Sequence, residues 1–319
     1  MDLVTYRIRH ITEYRYEAPV SIAHNLAHLA PRDTDHQHAI NNRLSIEPVP
    51  NHITRLRDYF GNWVHMFSLE EPHHVFRLSS NSRVTVQTPP ERDLAASPAW
   101  ETVLDHMQTS PEPAAVGALE LTFGSPLVQW DNAIREYAQV SFPKGRPLLE
   151  GALDLTHRIY TEFAYQPGVT TITTPVHEVF AARTGVCQDF AHLQLACLRS
   201  LGLPARYVSG YLLTHPPPGV EKRVGADESH AWVAVYCPVH GYVDLDPTND
   251  VIAGQEHTTV AWGRDFGDVT PLKGVVLGGG SHTVTVSVDV APHAKGDLPL
   301  LAKTDTTPPS KGDPLQLKT

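Results

Sequence analysis

The chain has 319 residues and a formal net charge of −10, because 35 acidic residues outnumber 25 Lys and Arg residues. That length is enough for two domains with separate cores, and the acidic balance argues against a nucleic-acid-binding protein. No apolar run approaches the ~20 residues that span a bilayer, and the N-terminus lacks a signal-peptide pattern. Three cysteines, an odd and low number, are typical of a reducing compartment, so we expect a cytoplasmic protein.

The first part of the chain has the alternation of half-buried strands. Apolar and polar residues alternate from Val4 to Ile8, which predicts a strand over 4–16. Further β-like runs lie at 43–46, 63–67 and 83–86. We therefore predict an antiparallel β domain over residues 1–90.

The next segment reads as a connection between domains. Residues 88–125 are rich in Pro, Ala and Ser, and they include the pairs Pro89-Pro90 and Pro111-Glu112-Pro113. Such clusters interrupt regular structure. We predict a linker over 91–125 with at most one short helix.

Helical patterns then dominate as far as Leu201. Ser125 as N-cap and Pro126 at the first helical position predict a helix over 126–137. A second helix is predicted over 147–163. A third, short helix opens at Thr174-Pro175, and we expect Gly185 to close it in a left-handed conformation.

A fourth helix is predicted from Cys187 to Gly202, with one apolar face. Three strands should follow it, at 205–213, 230–236 and 241–246. These elements predict an α+β core over 126–250, followed by a β extension over 251–291. An isolated pair of strands is marginally stable, so we expect the extension to fold back onto the N-terminal domain. The Pro-, Lys- and Thr-rich tail over 292–319 is predicted to be disordered.

Cys187 has the setting of a thiol nucleophile. The unpaired N–H groups and the positive end of the dipole at a helix N-terminus favour a thiolate, as does a nearby imidazolium. Cys197 returns to nearly the same helix face at greater depth, so we interpret it as a core residue. Cys237 precedes Pro238 and has no assigned role.

A base and an orienting carboxylate follow the cysteine in the chain. His230 begins a predicted strand, and alternation places it on the same face as Trp232. Asp244 and Asp246 lie two residues apart, hence on one face of the next strand. Either carboxylate can accept a hydrogen bond from the imidazole and stabilise its charged form. Residue spacing leaves the choice between them open.

Four segments together resemble the transglutaminase-like superfamily. They are Gly-x-Cys-x-Asp-Phe at 185–190, Leu-Pro-Ala-Arg-Tyr-Val-Ser-Gly-Tyr at 203–211, His-Ala-Trp at 230–232 and Asp-Pro-Thr-Asn at 246–249. The resemblance implies a papain-like α+β core and a Cys187–His230–Asp246 triad, which selects Asp246 over Asp244. Residues 6–10, 30–32 and 60–62 are similar to the N-terminal β domain of a bacterial branch of that superfamily, and 263–269 to its C-terminal extension.

The expected activity is acyl transfer through a thioester on Cys187, most simply by a peptidase or amidase that acts on a peptide or protein substrate. A protein transglutaminase, which uses an amine in place of water, is the alternative within the same chemistry. A noncatalytic binding module is the alternative from another class. Tyr165 is a candidate oxyanion donor and Trp232 a candidate cleft wall, and core packing explains either side chain equally well. No cofactor or metal is expected, because the 19 histidines form neither HExxH nor a zinc-finger spacing.

Overall fold

In the computed structural model, which describes residues 3–215, 227 and 229–293, the N-terminal part of the chain forms an antiparallel sheet. Its strand order is β2-β5-β1-β4-β3. The bounds are β1 (Leu3–Ala30), β2 (Gln37–Glu47), β3 (His52–Arg57), β4 (Trp63–Leu69) and β5 (His73–Gln87). The predicted antiparallel β structure of this region is confirmed.

The long strand β1 also holds the C-terminal extension, in which β13 (Leu272–Gly278) and β14 (His282–Pro292) follow each other. β13 pairs with the second half of β1 and β14 with the first half, both antiparallel. At the end of β13 the chain passes close to β1, because Gly278 has a φ of 95° and a Cβ there would lie 2.6 Å from the Pro19 carbonyl oxygen. The expected return of these strands to the N-terminal sheet is confirmed.

The prediction of at most one short helix in the segment 91–125 is wrong. The segment forms 3₁₀ turns at Leu94–Ala96 and Glu120–Thr122, and two α-helices, α1 (Trp100–Thr109) and α2 (Pro113–Leu119). Pro113 begins α2 instead of breaking it, because the first helical residue needs no N–H partner. Val103 and Met107 of α1 are buried in the same core as the later helices.

Four helices precede the second sheet: α3 (Asn132–Ser141), α4 (Leu148–Glu162), α5 (Val176–Ala182) and α6 (Cys187–Ser200). The predicted start of α3 is wrong. Its N-cap is Asp131, which accepts the Ile134 N–H at 3.0 Å, whereas Ser125 pairs with Val128 in a turn. The predicted cap of α5 is also wrong, because Arg183 takes the left-handed conformation with a φ of 56°.

The second sheet is antiparallel, with the order β11-β10-β9-β8-β12. Its strands are β8 (Ala205–Leu212), β9 (Ser229–Cys237), β10 (Gly241–Asp246), β11 (Val251–Ile252) and β12 (His257–Gly263), and the short helix α7 (Phe266–Val269) follows. A separate parallel bridge joins β6 (Ala164–Tyr165) to β7 (Thr184–Gly185), directly before α6. Helix α6 packs on β8 and β9. The three core strands thus lie where the sequence predicts them.

The N-terminal sheet is tied to the edge of the second sheet by two carboxamides. Gln37 exchanges two 2.8 Å hydrogen bonds with the backbone of Thr259. Asn62 does the same at Trp262, donating to its carbonyl at 2.8 Å and accepting its N–H at 3.0 Å. Both side chains substitute for a neighbouring strand along β12 and fix its position.

The two parts of the molecule also share one hydrophobic core. Tyr6 and Val84 of the N-terminal sheet belong to the same buried cluster as Leu193 of α6 and Val233 of β9. The predicted boundaries between domains, at 90, 125 and 250, stay a prediction. Among the described residues, no helix has the length and apolar character needed to span a membrane. The predicted tail, apart from its first two residues, lies outside the described ranges.

Candidate active site

Cys187 is the first residue of α6 and is partly exposed, whereas the rest of the helix from Asp189 onward is buried. The backbone before it is fixed by Asp189, whose Oδ2 accepts the Val186 N–H at 2.8 Å. Thr170 donates its hydroxyl to the same oxygen at 2.6 Å. Burial raises the pKa of Asp189, and these two hydrogen bonds oppose that rise. Asp189 therefore shapes the turn that presents the thiol, in line with the structural role its position in the first helical turn suggests.

Gly185 is required by the same turn. A Cβ at this position would lie 2.8 Å from Cβ and 2.9 Å from Oδ2 of Asp189. Gly185 also pairs with Tyr165 in the parallel bridge, so its backbone is extended and does not cap α5. The Gly-x-Cys-x-Asp spacing thus has a steric reason, since the carboxylate closes over the glycine.

His230 and Asp246 meet across the second sheet. Nε2 of His230, near the start of β9, lies 2.7 Å from Oδ2 of Asp246 at the end of β10. Gly210 of β8 faces His230 across the sheet, and a Cβ there would meet the Thr258 carbonyl oxygen at 2.1 Å. Only glycine lets β12 and the ring of Trp232 approach this closely.

Asp246 is held as a carboxylate by the groups around it. Its Oδ1 accepts the backbone N–H of Thr248 at 2.9 Å and that of Asn249 at 3.3 Å. Its Oδ2 accepts His230, the side chain of Asn249 at 2.7 Å and Nε2 of His257 at 3.1 Å. Burial alone would raise the pKa of Asp246, but these donors lower it well below its usual range.

His230 is correspondingly held in its charged form. Burial would lower the pKa of His230, but hydrogen bonds to Asp246 and to the Cys187 thiol, together with the negative charge of both groups, raise it to about 10. Because Nε2 faces Asp246, Nδ1 is the nitrogen left for the thiol. A cysteine at a helix N-terminus beside an imidazolium is the arrangement of an activated thiol nucleophile.

His257 belongs to the same hydrogen-bonded cluster, and sequence reasoning missed it. It is the first residue of β12, which reaches the cluster only because β12 pairs with β8. No local motif surrounds His257, so the sequence holds no signal for it. Asn249 belongs to the Asp-Pro-Thr-Asn segment, but the sequence assigns it no role. In the structure its side chain donates a hydrogen bond to Asp246.

The three supporting candidates lie in different settings. Asp244 is half-buried, and burial raises its pKa while the charge of Arg206 opposes this rise. Trp232 is only 1% exposed, and its ring lies 6.0 Å from that of His230 and 5.2 Å from that of His257, so it is a core side chain beneath both. Tyr165 is 48% exposed and contacts Phe190 edge to face, so it is not a core residue.

The remaining cysteines are structural. Cys197 and Cys237 are both fully buried, and burial strongly raises the pKa of Cys197. His230, Asp246 and His257 offer three metal-ligating atoms within 4.8 Å of one another. Zn²⁺ accepts such ligands. The hydrogen bonds from His230 and His257 to Asp246 explain equally well why these three side chains lie close together.

The fold and site together define an α+β protein with a papain-like core. Residues 6–85 match the family described as the bacterial transglutaminase-like N-terminal region, and residues 136–247 match the transglutaminase-like superfamily. An uncharacterized protein of Mycobacterium tuberculosis is 42% identical over 295 residues, which cover 90% of this chain and 92% of the relative. An uncharacterized protein of Mycobacterium leprae is 32% identical over 290 residues, covering 89% and 97%. The chain belongs to the transglutaminase-like superfamily and carries its bacterial N-terminal region.

Two further proteins extend these comparisons. A crystal structure described as that of a "Putative Cysteine Protease from Cytophaga hutchinsonii" matches with a TM-score of 0.71 and 22% identity, over 92% of this chain and 91% of that one. This likeness shows the fold. A protein-glutamine gamma-glutamyltransferase of Pseudomonas aeruginosa is 30% identical over 105 residues, which are 30% of this chain and 16% of that protein. The predicted fold class, with a transglutaminase-like core and an N-terminal β domain, is confirmed.

Proposed function

We propose that this protein is a cysteine-dependent acyl-transfer enzyme that cleaves peptide or carboxamide bonds through a thioester on Cys187. The observation that carries the proposal is the half-buried thiol at the start of α6, next to a histidine whose pKa is raised to about 10. Asp246, which accepts a 2.7 Å hydrogen bond from His230, is its orienting carboxylate. Water is the acyl acceptor that we favour, which makes the enzyme a peptidase or amidase.

The reaction starts from the thiolate–imidazolium pair. The thiolate of Cys187 attacks the carbonyl carbon, so that a C–S bond forms and the carbonyl electron pair moves to oxygen. The first N–H groups of a helix have no intrahelical partner, so the Cys187 N–H is available to stabilise this oxyanion. Tyr165, exposed beside the same turn, is the candidate for the second donor.

Collapse of the tetrahedral intermediate breaks the C–N bond. His230 gives its proton to the departing amine, and a thioester is left on Cys187. A water molecule then loses a proton to neutral His230 and attacks the thioester carbonyl. The acid product leaves with the C–S electron pair returning to sulfur, which restores the ion pair. Asp246 stays ionised throughout and holds the imidazole in place.

A transglutaminase is the second candidate. The identity to the glutamyltransferase of Pseudomonas aeruginosa favours it, although that match covers only 30% of this chain. The chemistry up to the thioester is the same, and a primary amine replaces water in the second step. The sequence contains no Asp-x-Asp-x-Asp-Gly loop of the kind that binds calcium in EF-hands. We therefore place hydrolysis first.

A turnover assay with a peptide and glutamine-amide library distinguishes these reactions. It is run with and without a labelled primary amine, on the wild type and on Cys187→Ala. Amine incorporation that is lost in the variant makes the protein a transglutaminase. Cleavage or ammonia release that is independent of amine makes it a peptidase or amidase.

Selective alkylation supplies the control against the binding-module alternative. A thiolate at a helix N-terminus reacts with iodoacetamide at neutral pH, whereas buried structural thiols are inert. Mass spectrometry is expected to find the label on Cys187 and not on Cys197 or Cys237. No turnover together with an unreactive Cys187 would overturn the proposal and favour a noncatalytic binding module.

The proposed partner is a peptide or protein substrate, and the proposed compartment is the cytoplasm. All three cysteines are free thiols, as is typical of a reducing compartment. Fractionation of cells that produce the protein tests this assignment. Recovery with a periplasmic or extracellular marker would contradict it.

A further inference from the structure

A second histidine is bound to the carboxylate of the proposed triad. Oδ2 of Asp246 accepts Nε2 of His230 at 2.7 Å and Nε2 of His257 at 3.1 Å. The acyl-transfer scheme uses the first of these contacts and gives no task to the second. Both ring nitrogens of His257 are engaged, Nε2 with Asp246 and Nδ1 with the Gly254 backbone, so neither faces a reacting group.

The contacts of His257 determine where its proton lies. The backbone N–H of Gly254 donates to Nδ1 at 3.3 Å, so this nitrogen carries no proton. The proton of the neutral ring is therefore on Nε2, where it faces Asp246. His257 adds a hydrogen bond to the carboxylate without placing a second positive charge beside His230.

The position of His257 is fixed from two sides. Its ring packs edge to face on the buried ring of Trp232, with centroids 5.2 Å apart. Its strand is held two residues later, where Gln37 bonds both backbone groups of Thr259. Asn249, by contrast, belongs to the turn that directly follows Asp246 and moves with it. His257 is thus the donor that anchors Oδ2 to a separate strand.

We propose that His257 is a positioning residue of the triad, which holds Oδ2 of Asp246 where it pairs with Nε2 of His230. This inference rests on the proposed function of His230 and Asp246. Without His257, both carboxylate oxygens are still bound by the turn that contains Asn249, but Oδ2 loses its donor on β12, and the carboxylate can shift with its turn away from His230. The imidazolium, and with it the thiolate, is then less stabilised.

Three titratable groups near His257 influence the pH dependence of Cys187 alkylation. Asp246 and His230 share the hydrogen-bonded cluster, and Asp244 of β10 interacts with His257 through its charge. All three occur unchanged in the variants below, so differences between profiles come from His257 itself.

The test is the pH dependence of Cys187 alkylation by iodoacetamide in the full chain, which needs no substrate. In His257→Ala the second-order rate constant at pH 6–7 is expected to fall about tenfold, the order of one supporting hydrogen bond to a charged group. Near pH 10 it is expected to match the wild type, because a cysteine there ionises without help. A purely structural defect would lower the rate at every pH.

Two amide variants refine the test. His257→Gln places an amide N–H where Nε2 of histidine lies and is expected to retain the rate at neutral pH. His257→Asn places its amide near the Nδ1 position, out of reach of Asp246, and is expected to behave as His257→Ala. If His257→Ala does not fold, the Gln and Asn variants carry the test, and equal rates in both would overturn the proposal.

His10→Gln is the matched control, because His10 is also buried and its nitrogens lie 3.0 Å from Thr12 and from Tyr211. Its alkylation profile is expected to match the wild type. A His257→Ala profile that also matches the wild type would overturn the inference and leave the proposed function intact. An unreactive Cys187 in the wild type would instead overturn the proposed function, and this inference with it.

Discussion

Helix α6 carries two cysteines in contrasting surroundings. Cys187, its first residue, is partly exposed and lies beside His230, whose pKa is raised to about 10. Cys197 is fully buried, and its nearest acceptor is the Ile134 carbonyl oxygen at 3.9 Å. Burial raises the pKa of Cys197 and keeps it a neutral thiol. The same residue type on the same helix thus differs in exposure and neighbouring charge, which is why we propose Cys187 and not Cys197 as the nucleophile.

The charged residues near the two ends of α6 also have different roles. At the N-terminal end Asp189 shapes the turn before the thiol by accepting the Val186 N–H and the Thr170 hydroxyl. At the other end Arg199 is buried and donates to the carbonyl oxygens of Ala205 at 2.8 Å and Arg264 at 2.6 Å. One end of α6 presents the Cys187 thiol, and the other joins α6 to β8 and to the C-terminal extension.

The largest expected effect is that of Cys187→Ala, which removes the nucleophile and lowers kcat roughly 10⁴-fold or more. Cys197→Ala is the matched control on the same helix. It is expected to lower the free energy of unfolding by about 1–2 kcal/mol through the cavity it leaves, with turnover of the folded protein unchanged. Turnover on the amide library and urea denaturation measure the two effects. Equal losses of turnover in both variants would contradict the distinction between Cys187 as nucleophile and Cys197 as core residue.

Arg199→Leu tests the structural half of the helix. The Ala205 and Arg264 carbonyl groups lose their donor, so the free energy of unfolding is expected to fall by about 2–4 kcal/mol. Arg135→Leu, at an exposed position of α3, is the control and is expected to change it by less than about 0.5 kcal/mol. Urea denaturation of both variants measures the difference. Similar values for the two would show that Arg199 does not hold the end of α6.

The free energy of unfolding is expected to decrease at both low and high pH because of two histidines, His192 within α6 and His230 beside its first residue. Burial lowers the pKa of His192 to about 4, against about 6.5 in the unfolded chain. The unfolded state therefore binds the extra proton as the pH falls from about 6.5 towards 4, and stability decreases over that interval. His230, with its pKa raised to about 10, contributes stability that is complete below about 6.5 and is lost as the pH rises through 10.

The variants His192→Gln and His230→Gln separate these limits. His192→Gln removes the titrating group, while its amide oxygen still accepts the Phe266 N–H. The loss of unfolding free energy between pH 6.5 and 4.5 is therefore expected to shrink by on the order of 2 kcal/mol. His230→Gln is expected to flatten the alkaline side only. Denaturation at pH 4.5, 6.5 and 10 measures both slopes. An acid side that is unchanged in His192→Gln would contradict the assignment.

The smallest expected effect is that of Asp189→Ala, which leaves the Val186 N–H without its acceptor. The free energy of unfolding is expected to fall by about 1 kcal/mol, as for the loss of a helix cap. Asp189→Asn retains an acceptor oxygen and is expected to lose less. Thermal denaturation compares the two. Equal losses in the two variants would mean that the charge, and not the hydrogen bond, is what α6 needs.

The parts of the site that the sequence predicts are those set by local rules. A glycine, a cysteine and an acidic residue at fixed spacing indicate the start of α6, and alternation assigns His230 and the two aspartates to strands. The errors also have local causes. Proline-rich composition favours a linker, although Pro113 starts a helix, and Ser125 before Pro126 favours an N-cap, although Asp131 makes the capping bond.

The sequence by itself therefore determined the fold class, the helix that carries Cys187, the strand that carries His230, and two possible carboxylates. Resemblance to a family selected Asp246, and the hydrogen bond from His230 supports that choice. Only the tertiary structure brought His257 to the same carboxylate and joined β12 to the N-terminal sheet through Gln37 and Asn62. These contacts depend on the pairing and register of strands far apart in the chain, which short-range residue patterns do not specify.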